Sequence, residues 1–159
     1  MTDLDGSRRF HLETDASLNP YERKEVGGIS LQRAGGGIIV RTPSMVAVGM
    51  YSVPLGFLPS AIVAESLVLF RGMKVARERH SARILRARTD SALLVEIVSG
   101  RAVAFDPTLL AVVKKIAEER DHLEGFQVRW TPSSHAHERQ PGVPTADALA
   151  RKAAGLSAR

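Results

Sequence analysis

A sheet-forming stretch is followed directly by a helix-forming stretch, and this switch limits the folds open to the chain. Residues 27–53 are rich in Ile, Val and Gly, with a glycine run at 35–37 and a turn at 42–44, which predicts antiparallel strands. Residues 61 to about 79 instead carry apolar side chains at helical spacing, with Ser60 as the N-cap. The pattern indicates a sheet with helices packed on it.

The remaining elements follow in an order typical of an α/β domain. Residues 10–14 predict a short strand that stops at Asp15 and is followed by a turn around Asn19-Pro20. Further patterns predict a strand at 84–89, an apolar helix after Ser91 through 98, a helix from 107 to about 120, a strand at 126–131 and an Ala-rich helix starting at Asp147. We therefore expect one mixed sheet, in a chain whose 159 residues suit a single domain.

The composition favours a polyanionic partner and excludes thiol chemistry. Lys and Arg total 22 against 17 Asp and Glu, and the sequence pI is about 10.1, which favours nucleic acid as a partner. The chain has no cysteine, so any bound metal must be held by oxygen or imidazole. Neither a secretory signal nor a long apolar run occurs, and we expect a cytoplasmic protein without a membrane partner.

Glu65 is the first of four acids that point to a site. At 100° per residue it projects within about 60° of the apolar residues of the long helix, where that helix meets the sheet. Burying an unpaired carboxylate costs several kcal/mol, so Glu65 should be protonated, paired with a cation or bound to a metal. The alternative interpretation is a first-turn acid that the helix dipole stabilises.

The other three acids lie at the ends of predicted elements. Asp15 and Asp90 each end an apolar strand, where ligands bind in open sheets, and Asp147 precedes the last helix. Each has a simpler alternative, which is a turn residue for Asp15 and a helix N-cap for Asp90 and Asp147. Together with Glu65 they predict a site for hard divalent cations, and a pair of such ions catalyses in-line attack on a phosphodiester.

Several short motifs occur in a fixed order along the chain. They are Glu13-Thr14-Asp15-Ala16-Ser17, Gly27-Gly28, Ala64-Glu65, Thr89-Asp90-Ser91, and Trp130 to His135 followed by Ala146-Asp147-Ala148-Leu149-Ala150. In this order and spacing the chain resembles the ribonuclease H family from about residue 11 to 154. The resemblance implies an α/β fold with a five-stranded mixed sheet in the order 3-2-1-4-5, flanked by helices. It also implies a domain at 10–155 between a flexible lead at 1–9 and a tail at 156–159.

The resemblance further implies an activity and its metal ligands. Asp15, Glu65, Asp90 and Asp147 match the family's four metal-binding carboxylates, which implies two Mg²⁺ or Mn²⁺ ions. The implied reaction is endonucleolytic hydrolysis of the RNA strand of an RNA–DNA hybrid.

The same resemblance places a histidine on the loop before the last helix. His135 matches it and would assist proton transfer or product release, with His137 as the alternative. A second Asp-Gly-Ser-like match, at Asp5, competes with Asp15 for the first motif. No apolar strand precedes Asp5, so Asp15 is preferred.

Some positions depart from the family pattern. Ala16 replaces a glycine, 143–145 lack an Asn-Glu pair, and 61–64 are apolar where polar residues contact the hybrid, which weakens the case for hybrid specificity. The segment 99–126 has no room for an extended basic handle. Substrate contact would then come from basic residues, unless these form only a solvated surface. The candidates are Arg71, Lys74, Arg77, Arg79, Arg83 and Lys114-Lys115.

Charged residues within the predicted central strands suggest an ion pair. Strand alternation places Glu13 on the face of Asp15 and Arg88 on the face of Asp90. If the two strands are parallel neighbours, Glu13 and Arg88 can pair across them, and we predict that they do.

Three functions remain open at this stage. The leading hypothesis is a ribonuclease H-like endonuclease acting on RNA–DNA hybrids. A second is a nuclease of the same fold acting on structured RNA or DNA, and a third is a non-catalytic nucleic-acid-binding module. The oligomeric state is not predicted.

Overall fold

The computed structural model describes residues 8–132 and 141–157 and contains a five-stranded sheet. The strand order is β3-β2-β1-β4-β5, with β1, β2 and β3 antiparallel and with β4 parallel to both β1 and β5. This confirms the predicted fold class and strand order. The elements are β1 (Arg9–Val26), β2 (Ile29–Arg41), β3 (Ala47–Leu58), α1 (Ala61–His80), β4 (Ile84–Thr89), α2 (Ala92–Val98), α3 (Pro107–Arg120), β5 (Gly125–Trp130) and α4 (Ala146–Ala153).

The first strand is much longer than predicted. It continues to Val26, past Asp15 and past Asn19-Pro20, where we expected a turn. The pairing of β1 with β2 instead shifts register between Asn19 and Arg23, and such a bulge absorbs a proline that cannot donate a ladder hydrogen bond. The chain turns at Gly27-Gly28, whose φ angles of +58° and +81° favour glycine. Asp15 is therefore held within a strand and not in a turn.

Smaller differences affect three other elements. β3 runs to Leu58 through Pro54, which an edge strand tolerates because its outer N–H groups need no partner. β5 begins and ends one residue earlier than predicted. The last helix begins at Ala146, with Thr145 as its N-cap, so the predicted start at Asp147 was wrong by one residue. The bounds of β4 and α3 match the prediction.

Helix α1 packs on the sheet along the predicted apolar face. Its N-cap is Ser60, whose hydroxyl accepts a hydrogen bond from the Val63 amide. Gly72 allows close contact with β1, since a Cβ there would lie 2.9 Å from the Thr14 methyl group. This packing brings Glu65, on the second turn, to the end of the sheet.

No helix in the described ranges is long and apolar enough to cross a membrane.

Helix α4 packs on the opposite face of the sheet, against the glycine run of β2. A Cβ at Gly35 would overlap the backbone of Ala154, and one at Gly37 would overlap the Ala146 carbonyl oxygen. The Ser52 hydroxyl donates a hydrogen bond to the Leu149 carbonyl oxygen at 2.6 Å. The glycine run therefore lets the helix approach the backbone of β2 directly, and α4 brings Asp147 near Asp15, which pairs with Gly37.

Candidate active site

Three carboxylates from three different elements meet at one end of the sheet. Asp15 lies in β1 opposite Gly37 of β2, Asp90 directly follows β4, and Glu65 comes from α1. β1 and β4 are parallel and pair Glu13 with Arg88, so Asp15 and Asp90 lie two residues further along the same direction on neighbouring parts of the chain. One oxygen from each carboxylate lies within 4.8 Å of the other two. We call Asp15, Glu65 and Asp90 the acid cluster.

One backbone amide orients two of these side chains. The Ala16 N–H donates to Asp15 Oδ1 at 3.0 Å and to Glu65 Oε1 at 3.3 Å. The second oxygen of Glu65, Oε2, is buried and has no hydrogen-bond partner among the described residues. A buried carboxylate oxygen without a partner is costly, and a cation bound there would remove that cost. Glu65 lies in the second turn of α1, so the first-turn alternative was wrong.

Burial, together with the neighbouring negative charges, raises the pKa of each carboxyl group in the acid cluster. Burial raises the pKa of Glu65 to about 9, and the charges of Asp15 and Asp90 add to this effect. Burial likewise raises the pKa of Asp15 to about 7, with added repulsion from Asp90 and Asp147. Burial and the charge of Asp147 also raise the pKa of Asp90. In the described part of the chain, no Lys or Arg forms an ion pair with the acid cluster.

Asp147 lies beside the acid cluster and is not one of the three residues whose oxygens meet within 4.8 Å. It occupies the first turn of α4, and its charge acts on both Asp15 and Asp90. The N-cap role that we considered for it belongs to Thr145, and the role considered for Asp90 belongs to Ser91. Both acids are therefore left without a capping function.

The predicted ion pair across the central strands is present. Glu13 and Arg88 are register partners of β1 and β4, and Arg88 Nη2 lies 3.5 Å from Glu13 Oε1. The same Glu13 oxygen also accepts a hydrogen bond from Arg41 of β2, which we did not predict. A sign of this second contact was the charged residue that follows the apolar run Ile38-Ile39-Val40, but the register that brings Arg41 to Glu13 could not be obtained from sequence.

The basic residues proposed for substrate contact divide into paired and exposed sets. Arg77 pairs with the buried Glu119, and Arg83 pairs with Glu124, so both have structural partners. Arg71 and Lys74 are exposed on α1. His135, its alternative His137 and the competing Asp5 lie outside the described residues.

Comparisons with known proteins place this geometry in a family. Residues 28–153 match the family model described as reverse transcriptase-like. The fold matches the N-terminal ribonuclease H domain of Rv2228c from Mycobacterium tuberculosis with a TM-score of 0.75 and 22% identity, over 94% of this chain and 95% of that one. The chain belongs to the ribonuclease H family. Other ribonuclease H structures share its fold, and no curated protein sequence matches it.

Two further ribonuclease H structures extend the comparison. Ribonuclease H1 from Halobacterium salinarum matches with a TM-score of 0.75 and 19% identity, over 91% of this chain and 96% of that one. LC11-RNase H1 in complex with an RNA/DNA hybrid matches with a TM-score of 0.72 and 19% identity, over 92% and 96%. At these identities the likeness concerns the ribonuclease H fold alone.

Proposed function

We propose that this protein is a divalent-metal-dependent endonuclease that hydrolyses the RNA strand of RNA–DNA hybrids by a two-metal-ion mechanism. The observation that carries the proposal is a cluster of three carboxylates within 4.8 Å of one another, with no cationic partner in the described part of the chain. The LC11-RNase H1 complex, which contains an RNA/DNA hybrid, supports the choice of substrate.

The donor set fits hard divalent cations such as Mg²⁺ or Mn²⁺. All the donors in the acid cluster are carboxylate oxygens, which these ions prefer, and Glu65 Oε2 is a buried oxygen that lacks a partner. Asp15, Glu65, Asp90 and Asp147 would hold the ions. Bound there, the ions would supply an activated water nucleophile and stabilise charge on the phosphate and the leaving 3′ oxygen.

Neighbouring groups in the chain orient the carboxylates for metal binding. The Ala16 amide holds Asp15 and Glu65 side by side before any ion arrives, which reduces the reorganisation that binding requires. Asp147 adds negative charge beside Asp15 and Asp90 from a separate helix. We assign to His135, or to His137 in its place, the transfer of a proton or the release of product.

A second candidate substrate is a structured RNA or DNA. It is favoured by the segment that leads into Glu65, because Ala61, Ile62, Val63 and Ala64 offer no side-chain hydrogen bonds to a hybrid's minor groove. The acid cluster would serve the same chemistry on either substrate.

The test is cleavage of end-labelled RNA–DNA hybrid, duplex DNA and duplex RNA of one sequence, with Mg²⁺, Mn²⁺ or EDTA. We expect cleavage of the RNA strand of the hybrid only when a divalent ion is present. Preferential cleavage of another duplex would support the second candidate. Equal activity of the wild type and of Asp15→Asn and Asp90→Asn under saturating metal would show that the catalytic assignment of these carboxylates is wrong. A wild type that binds nucleic acid but cleaves none of these substrates would be a non-catalytic binding module.

A further inference from the structure

Arginines on β4 and β5 project from the sheet face opposite α1. Leu85 and Ala87 are buried in the core under α1, so strand alternation turns Arg86 and Arg88 to the other face. On β5 the register partners of Arg86 and Arg88 are Gln127 and Arg129, which share that face. We call Arg86, Arg88 and Arg129 the arginine face.

Two of the three arginines on this surface have no ion-pair partner in the described part of the chain. Arg88 pairs with Glu13, which also pairs with Arg41. Arg86 and Arg129 are exposed, and neither forms an ion pair within the residues that the structure describes. Arg129 lies directly opposite Arg88, and like charges in register destabilise a sheet. The arrangement has an electrostatic cost that an anionic partner would offset.

The position of the arginine face indicates which anion it would bind. Arg88 lies two residues before Asp90, so the surface continues from the acid cluster along β4. Neighbouring residues on one sheet face are spaced by about 5 to 7 Å, so each guanidinium can reach a different phosphate. Among residues 8–132 and 141–157, helix α4 packs on β1, β2 and β3 of this face. Beside it β4 and β5 form a strip two strands or about 10 Å wide, and this width suits a single strand.

We propose that the arginine face binds the sugar–phosphate backbone of a single-stranded extension of the nucleic acid held at the acid cluster. This rests on the proposed function for the presence of nucleic acid at the acid cluster, but not on its cleavage. Arginine suits such a surface because its guanidinium donates two hydrogen bonds to one phosphate. The surface would therefore select substrates with a flanking single strand over blunt ones.

The test compares binding of an eight-base-pair hybrid, blunt or with a twelve-nucleotide single-stranded DNA extension at either end, by fluorescence anisotropy in EDTA, where cleavage is blocked. We expect one of the two extensions to tighten binding by the wild type about tenfold and to steepen its salt dependence. Arg86→Gln with Arg129→Gln should abolish most of that gain and reduce the salt slope by about 1.4. Both side chains are exposed, and melting temperatures would verify that the variant folds.

A matched control removes two exposed positive charges elsewhere. Arg23→Gln with Lys24→Gln changes the end of β1 near the β1–β2 turn and should retain the tighter binding of the extended hybrid. Equal loss in both double variants would show a general charge effect and overturn the proposal. So would a wild type that gains nothing from either extension. Binding of a polyglutamate peptide that depends on Arg86 and Arg129, without any gain from DNA, would assign the surface to an acidic protein segment instead.

Cleavage is scored separately, so the two proposals fail in different ways. If the wild type cleaves blunt hybrid in Mg²⁺ but gains no affinity from an extension, the proposed function stands and the proposed role of the arginine face is wrong. If the wild type binds the extension through Arg86 and Arg129 but cleaves nothing, the role of the arginine face stands and the proposed function is wrong.

Discussion

Two carboxylates on the same face of β1, only two residues apart, have opposite surroundings. Glu13 lies between Arg41 and Arg88 and forms an ion pair with each. Asp15 lies beside Glu65 and Asp90, and its pKa is raised to about 7, first by burial and then by the charges of Asp90 and Asp147. Glu13 is thus surrounded by cationic side chains, and Asp15 by further carboxylates.

The difference separates an acid that holds the fold together from one that is kept ready for a ligand. A paired carboxylate stabilises the folded state through contacts that are already formed. Crowded carboxylates without a partner lower stability, and a bound cation would restore it. Such a loss of stability is common where a site must bind charge, and it makes the two regions distinguishable by mutation.

The largest contrast is expected in catalysis. Asp15→Asn should lower the single-turnover rate of hybrid cleavage by about 10³-fold, because it removes a proposed metal ligand. Glu13→Gln, on the same strand and face, is the matched control and should stay within about threefold of the wild type at a temperature where it is folded. Cleavage by Asp15→Asn at the wild-type rate would remove Asp15 from the proposed site.

Metal and pH should act together on stability. The pKa values of Asp15 and Glu65 rise on folding from 3.8 to about 7 and from 4.5 to about 9, so the folded state binds protons more tightly. Without metal, stability should therefore be greatest below about pH 4 as far as these groups contribute, and should fall as pH rises toward 9. Mg²⁺ or Mn²⁺ at a hundred times its dissociation constant should restore about 2.7 kcal/mol at high pH.

Melting temperatures in EDTA and in saturating metal, from pH 5 to pH 9, measure this coupling. The difference between the two should widen as pH increases, because protons compete with the ion for the same oxygens. A difference that stays constant across the range would mean that the metal binds elsewhere.

Loss of the ion pairs at Glu13 should reduce stability. Glu13→Gln leaves Arg41, whose side chain is 6% exposed, without its charged partner, and we expect a cost of about 2 kcal/mol. Urea unfolding at pH 7 would show this as a lower midpoint. An unchanged midpoint would show that these ion pairs do not contribute to the fold and would weaken the contrast with Asp15.

The smallest expected effect is a gain of stability. Glu65→Gln removes a buried acid that must take up a proton in the folded state at pH 8, so it should stabilise the metal-free protein at that pH. It should also flatten the fall of stability with pH. A variant less stable than the wild type at pH 8 would show that Glu65 makes a favourable contact that the acid cluster does not explain.

The fold was largely predictable from the sequence because its helices and short strands carry strong periodicity and clear caps. The bounds of α3 and the N-cap Ser60 could be obtained in this way. The order of the strands was implied by the resemblance to the ribonuclease H family. The length of β1 could not be predicted, because Asn19-Pro20 normally marks a turn and here lies in a bulge that pairing with β2 supports. Pairing with β2 therefore outweighs the local turn preference of Asn19-Pro20.

Three of the predicted site residues, Asp15, Glu65 and Asp90, lie together in the structure, but their geometry could not be predicted from the sequence. Strand alternation predicted the pairing of Glu13 with Arg88 on the condition that their strands are parallel neighbours. The contact from Arg41 depends on antiparallel register, and the hydrogen bonds from the Ala16 amide depend on how α1 sits against β1. These contacts depend on tertiary packing, which local sequence patterns do not reveal.

The most direct test of the acid cluster as a cation site is a titration with Mn²⁺ at pH 8, with free Mn²⁺ measured by electron paramagnetic resonance. Wild type and Glu13→Gln are expected to bind the ion with the same affinity, and Asp15→Asn is expected to bind it at least about tenfold more weakly. Equal affinity in all three proteins, or no binding by the wild type, would contradict the assignment of these carboxylates to a metal.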